Sequence, residues 1–282
     1  DTGLIGVNQY DDPENLKPGE VQDAVNMDFT DQNASTRPGF VCLPSMGATP
    51  FGQTWTATSP AAANTWQAVC YGGGIFVAVS STGTGNRVMT SVDGSTWVSR
   101  ISAADYTWRD VTYGNGLFVA VASSGGTTDK VMTSSDGISW VLRTAVNHAW
   151  VRICYGNGMF VAVGGTFIMT SSDGIAWTDR TNPVTSGFLF GVSYGNGVFV
   201  AVSALGDSAT STDGITWTLT TPVSPTLPPM TDIAFGNGLF VALGGAGSIV
   251  TTPDGVTWTT RTASNANTWF SVAFGPNGFI AV

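Results

Sequence analysis

The chain has 282 residues, of which 43% are hydrophobic, and carries a net charge of −9 at pH 7 from 19 acidic and 10 basic side chains. A surface this acidic repels phosphate backbones, which argues against nucleic acid as a partner. Apolar runs such as Leu117–Ala122 fall far short of the ~20 residues a spanning helix needs, so no membrane span is expected. Three cysteines, Cys42, Cys70 and Cys154, are too few and too odd in number for a disulfide framework. Cys70 and Cys154 share a position where related segments carry Thr112, Ser193, Ala234 and Ala273, which reads as a small core side chain. No apolar leader follows Asp1, and the chain ends within a recurring segment, so it reads as a mature or truncated fragment.

Residues 1–50 stand apart, with eight of the nineteen acidic residues. Pro13, Pro18 and Gly19 argue against helix and for an extended arm. Val21–Phe29 alternates as a strand would, and Ser35–Leu43 supplies a second, so a hairpin turning at Asp31-Gln32-Asn33 is expected. Such an arm can wrap a neighbouring subunit, or simply cover and close the body of its own chain.

From about residue 66 the chain repeats. Tyr-Gly-Asn-Gly-x-Phe-Val-Ala-Val is intact from Tyr113, Tyr155 and Tyr194 and recurs with small changes from Tyr71, Phe235 and Phe274. Those aromatic positions are spaced by 42, 42, 39, 41 and 39 residues. Within Thr107–Arg143, Trp108–Tyr113 alternates, and Gly114-Asn115-Gly116 follows as a hairpin turn whose central residues need φ > 0. Leu117–Val121 is apolar throughout, as a strand buried on both faces should be. Val131–Ser134 and Ser139–Arg143 give a third and a fourth strand. Four short antiparallel strands per repeat of about forty residues describe a β-propeller blade, with a β-solenoid as the alternative.

A second signature, Ser/Thr-x-Asp-Gly-x-x-Trp, sits between the third and fourth strands. It places Asp93, Asp136, Asp173, Asp213 and Asp254 before Gly94, Gly137, Gly174, Gly214 and Gly255. Trp97, Trp140, Trp177, Trp217 and Trp258 follow three residues after each glycine. The carboxylates are expected to accept hydrogen bonds from their own turns, the glycines to supply φ > 0, and the tryptophans to pack between blades. This signature resembles the Asp-box of neuraminidase-type repeats, shortened by one residue, which implies a fold element and not a catalytic one.

The full blades are expected at about 66–100, 108–143, 150–180, 188–220 and 231–261. A sixth begins at 269 and stops at 282 after two strands. Gly39–Leu43 and Phe51–Thr56 can supply its outer half, so residues 37–57 are expected to complete blade six, leaving 1–36 as the arm. The expected fold is therefore all-β, a six-bladed propeller closed by N-terminal strands; a cut chain lacking further blades is the alternative.

Strand direction puts the Gly-Asn-Gly and Asp-Gly hairpins on one face. The loops after second and fourth strands lie on the other, and they differ between copies: Ser80–Arg87 and Ala122–Lys130 are long, Gly164–Phe167 is short, and Thr181–Gly187 and Thr220–Pro229 carry proline. Diverse loops on a rigid scaffold are where binding resides, or they are drifting connectors. Catalytic, cofactor and metal residues are not expected. Arg100, Arg143, Arg180 and Arg261 recur on the outermost strand and spread around the rim, and Glu14 and Glu20 lie outside the repeats. The lone His148 lacks metal-ligand spacing.

The order Gly6–Pro13, Pro18-Gly19-Glu20, Val25-Asn26 and Arg37-Pro38-Gly39 resembles the opening of tailed-phage virion proteins, including nozzle-type tail proteins that carry propellers. That resemblance implies a non-enzymatic virion component in the tail. It implies other virion proteins and further copies of the chain as partners, and a host-surface glycan or receptor for an exposed face. A carbohydrate-binding propeller is the alternative, and a sialidase-like hydrolase the third.

Overall fold

The computed structural model describes residues 24–25, 41–42, 57–185, 187–220, 230–263, 266–275 and 278–282. Blade one comprises β3 (Trp66–Gly72), β4 (Ile75–Ser80), β5 (Val88–Ser91) and β6 (Val98–Arg100), preceded in the chain by β1 (Ala24–Val25) and β2 (Val41–Cys42). Blade two is β7 (Thr107–Gly114), β8 (Leu117–Ser124), β9 (Val131–Ser134) and β10 (Val141–Arg143). Blade three is β11 (Arg152–Gly156), β12 (Met159–Gly164), β13 (Phe167–Ser171) and β14 (Thr178–Arg180). Blade four is β15 (Leu189–Gly195), β16 (Val198–Ser203), β17 (Ser208–Ser211) and β18 (Thr218–Thr220). Blade five is β19 (Met230–Gly236), β20 (Leu239–Gly244), β21 (Ile249–Thr252) and β22 (Thr259–Arg261), and blade six holds β23 (Val272–Gly275) and β24 (Gly278–Ala281).

The four strands of each of blades one to five form an antiparallel meander, and the first strands follow one another around the centre. The second and third strands are buried almost throughout, because each blade is covered by a neighbour on both faces. The cores lie between blades. Val77 and Val79 of blade one pack with Val111, Phe118 and Met132 of blade two, and equivalent clusters recur at the following junctions.

Six sheets form the ring, which makes the chain an all-β propeller of six blades. The seam differs from the hairpin expected at the N-terminus. Among the described residues, Val41–Cys42 pairs with β24 as the third strand of blade six, whereas Ala24–Val25 pairs with β3 and lies beside β23. The two segments thus pair with opposite sides of the seam and not with each other. The physical reason is that blade six and blade one each offer an unpaired strand edge there, and filling both removes two edges where a local hairpin would leave them open. Phe51–Thr56, expected as the outermost strand of blade six, lies outside the described residues, as does the rest of the arm.

The aromatic of the first signature has a further use. A Cβ placed on Gly72, Gly114 or Gly156 would lie 2.1–2.2 Å from the ring of Tyr113, Tyr155 or Tyr194 on the next blade. Glycine before each Asn-Gly turn therefore admits the neighbour's ring. The turns themselves have φ of 46–50° at Asn115, Asn157, Asn196 and Asn237, followed by glycines at 73–78°.

Candidate functional site: the central channel mouth

Each first strand enters the ring beside a buried anchor and then bulges. Trp66, Trp108, Trp150 and Trp269 are fully buried at that point, with Leu189 and Met230 in the other two blades. The indole N–H groups of Trp66, Trp108 and Trp150 donate to the carbonyls of Ala62, Ala104 and Val146, which ties down the preceding loop. The next residue falls out of ladder register. Trp66 and Ala68 pair with successive residues Ser80 and Val79, so Gln67 is extra; the same slip frees Arg109, Phe190 and Thr231. In blade three both Val151 and Arg152 face Val163, and in blade six the N–H groups of Phe270 and Ser271 both donate to the Val282 carbonyl. A bulge of this kind re-aims a side chain.

The six re-aimed residues, Gln67, Arg109, Val151, Phe190, Thr231 and Phe270, join Arg152 and Met230 around a cavity of about 190 Å³ on the variable-loop side of the channel. Arg109 Nη1 donates to Gln67 Oε1 at 2.9 Å. Arg152 Nε meets Asp232 Oδ1 at 3.3 Å, bridging blades three and five. Asp232 Oδ2 also accepts from Ser271 Oγ (2.8 Å) and the Val272 N–H (3.0 Å) of blade six. Asp110 Oδ2 accepts from the Ile153 N–H of blade three at 2.8 Å. Both aspartates therefore stitch one first strand to the next.

Burial pushes the Asp110 carboxyl up to about 7, against the opposing effects of Arg152 and of the Ile153 N–H. Burial, followed by repulsion from Arg152, presses the Arg109 guanidinium below its ordinary value. Desolvation thus opposes the charged form at both sites, as it does wherever titratable groups leave water.

The turn residues lie on the opposite face. Oδ1 of Asp93, Asp136, Asp173, Asp213 and Asp254 accepts two backbone N–H groups of its own turn at 2.7–2.9 Å and a Ser or Thr hydroxyl at 2.8–2.9 Å. Those N–H bonds hold the carboxyls of Asp93 and Asp136 down to about 2. Gly94, Gly137, Gly174, Gly214 and Gly255 have φ of 69–73°. Trp97, Trp140, Trp177 and Trp217 donate back to the carbonyls of Gly94, Gly137, Gly174 and Gly214, while Trp258 reaches Ser208 Oγ of blade four. Trp140, Trp177, Trp217 and Trp258 each pack in a cluster shared with the preceding blade. Arg100, Arg143, Arg180 and Arg261 donate to Thr90, Thr133, Thr170 and Thr251, fastening fourth strands to third.

Sequence reasoning missed the channel. Arg109, Asp110, Arg152 and Asp232 occupy the two repeat positions where other copies hold Gln67, Ala68, Val151, Phe190, Gly191, Thr231, Phe270 and Ser271. Charge breaking the repeat at inward positions was the available signal. Around the mouth, Arg87 is held by the Gly83, Ser81 and Tyr106 carbonyls, and Tyr106 donates to Asp129. His148 stacks on Phe167 and lies 3.5 Å from Asp179. Among the described residues, no group of three or more His, Cys, Asp or Glu is placed to hold a metal, and no helix is long and apolar enough to cross a membrane.

Solved structures share this architecture. A streptogramin B lyase matches with a TM-score of 0.67 at 14% identity, over 77% of this chain and 76% of the lyase. Virginiamycin B lyase from Staphylococcus aureus matches at 0.66 and 12%, over 78% and 80%. YCF48 bound to a D1 peptide matches at 0.58 and 21%, over 82% and 81%. The shared element is the propeller. No family model matches the chain, and no curated protein does.

Proposed function

We propose that the chain is a non-enzymatic structural component of a tailed-phage virion, a tail or nozzle-type protein that uses its propeller as a rigid assembly or receptor-facing disc. The observation that carries this reading is the seam. Residues 24–25 and 41–42, which flank part of the segment resembling tailed-phage virion proteins, pair with blades one and six. The bracing of each Asp-Gly turn supports the Asp-box-like reading of the repeat, in which conspicuous carboxylates serve the fold. The channel carboxylates Asp110 and Asp232 likewise bind backbone N–H groups. Partners in this reading are other virion proteins, further copies of the chain, and a host-surface glycan or receptor. YCF48 bound to a D1 peptide illustrates a propeller of this fold engaging another polypeptide. The test is mass-spectrometric composition of purified particles: the chain should copurify at fixed stoichiometry, and recovery only as a free monomer would contradict the proposal.

A carbohydrate-binding role is the second reading, favoured by Phe167, Phe188 and Phe270, which stand exposed on the variable face where sugar rings can stack. Glycan-array binding lost on Phe188→Ala would support it. Turnover of a fluorogenic glycoside would instead establish an enzyme, as would lyase activity.

A further inference from the structure

At the channel mouth, among the described residues, one guanidinium makes no ion pair. Of the eight residues lining the cavity, two are arginines and none is acidic, in a chain with 19 acidic and 10 basic residues. Arg152 is committed to Asp232 and to the Val151 carbonyl. Arg109 is not: among the described residues its hydrogen-bond partner is the neutral Gln67 side chain, and no carboxylate lies within 4.0 Å of it. Asp110, its chain neighbour, is turned to the backbone of Val111 and Ile153. A partly buried guanidinium with donors to spare is matched best by a planar bidentate acceptor. The rest of the wall is formed by Phe190, Phe270, Met230 and Val151, with Thr231 as its one further polar side chain.

We infer that this cavity is a binding site for a small organic acid, its carboxylate held by Arg109 and the Gln67 amide and its apolar or aromatic body held between Phe190 and Phe270. The bulges explain how the site arises on a repeat: they turn one residue per blade inward, and the copies differ there. The site goes beyond the virion reading and stands independently of it, because particle incorporation and acid binding are read separately.

The test is calorimetric titration of the whole chain with benzoate, acetate, inorganic phosphate and methyl benzoate. Benzoate should bind with a dissociation constant of about a millimolar or tighter, acetate more weakly, and the neutral ester not at all. Arg109→Met should weaken benzoate by about tenfold or more, the loss expected of a charge-assisted hydrogen bond. Should that variant fail to fold, Phe270→Ser, at an exposed position, should weaken benzoate while leaving acetate unchanged. Equal binding of ester and acid, phosphate binding as well as benzoate, an unaffected Arg109→Met protein, or no saturation by benzoate up to about 10 mM would each overturn the assignment.

Discussion

The hairpin face and the channel mouth use the same residue types to opposite ends. On the hairpin face five aspartates sit in solvent, accept N–H groups of their own turns, and in Asp93 and Asp136 are held down to about 2. In the channel Asp110 is fully buried, accepts an N–H from the next blade, and is pushed up to about 7. Arginines divide likewise: four clip fourth strands to third at the rim, while Arg109 and Arg152 face the central cavity. Agreement among copies marks what the fold needs from every blade. Disagreement at an inward position marks what the ring has specialised.

That contrast can be broken by mutation. The largest effect is expected for Asp232→Ala, which removes the carboxylate paired with the Arg152 guanidinium and leaves the Val272 N–H without its acceptor. A loss of about 3–5 kcal/mol in urea unfolding is expected for a broken buried pair. Next, Gly114→Ala drives a methyl group into the Tyr155 ring and should cost about 1–3 kcal/mol, as overpacking does. Asp110→Asn should act through pH. Because the folded-state value of Asp110 is raised, its contribution is complete below 3.8 and is lost as pH rises through about 7. Wild-type stability should therefore fall relative to the Asn variant between about pH 4 and about pH 7 and run parallel above that; profiles parallel throughout would contradict the buried carboxyl. The smallest effect belongs to Asp136→Ala, about 1 kcal/mol, comparable to losing a helix cap. Its sign with pH is opposite: the folded-state value is lowered, so the contribution is present above 3.8 and disappears as pH falls through about 2.

Much of the fold was legible because a repeat multiplies each weak signal. Asn-Gly followed by Phe-Val-Ala-Val, seen once, marks a hairpin; at a forty-residue spacing it marks blades and their number. The seam was half legible. Val41 lies in the segment expected to complete blade six, but a local hairpin was expected where Ala24–Val25 instead crosses to β3. Sequence proximity favours neighbours in the chain, whereas a closing ring rewards distant edges. The channel site was hidden for a different reason. Arg109 and Asp232 are 123 residues apart in the numbering, and only the bulges and the ring bring their strands to one axis. The repeated residues serve the turns, and the exceptions to the repeat lie at the inner positions.

The most direct test of the proposed function is the protein composition of purified phage particles whose genome encodes this chain. The chain should be present in intact particles at a fixed ratio to known tail proteins, retained through gradient purification. Its absence from particles, with soluble monomer accumulating in the same lysate, would contradict a virion role.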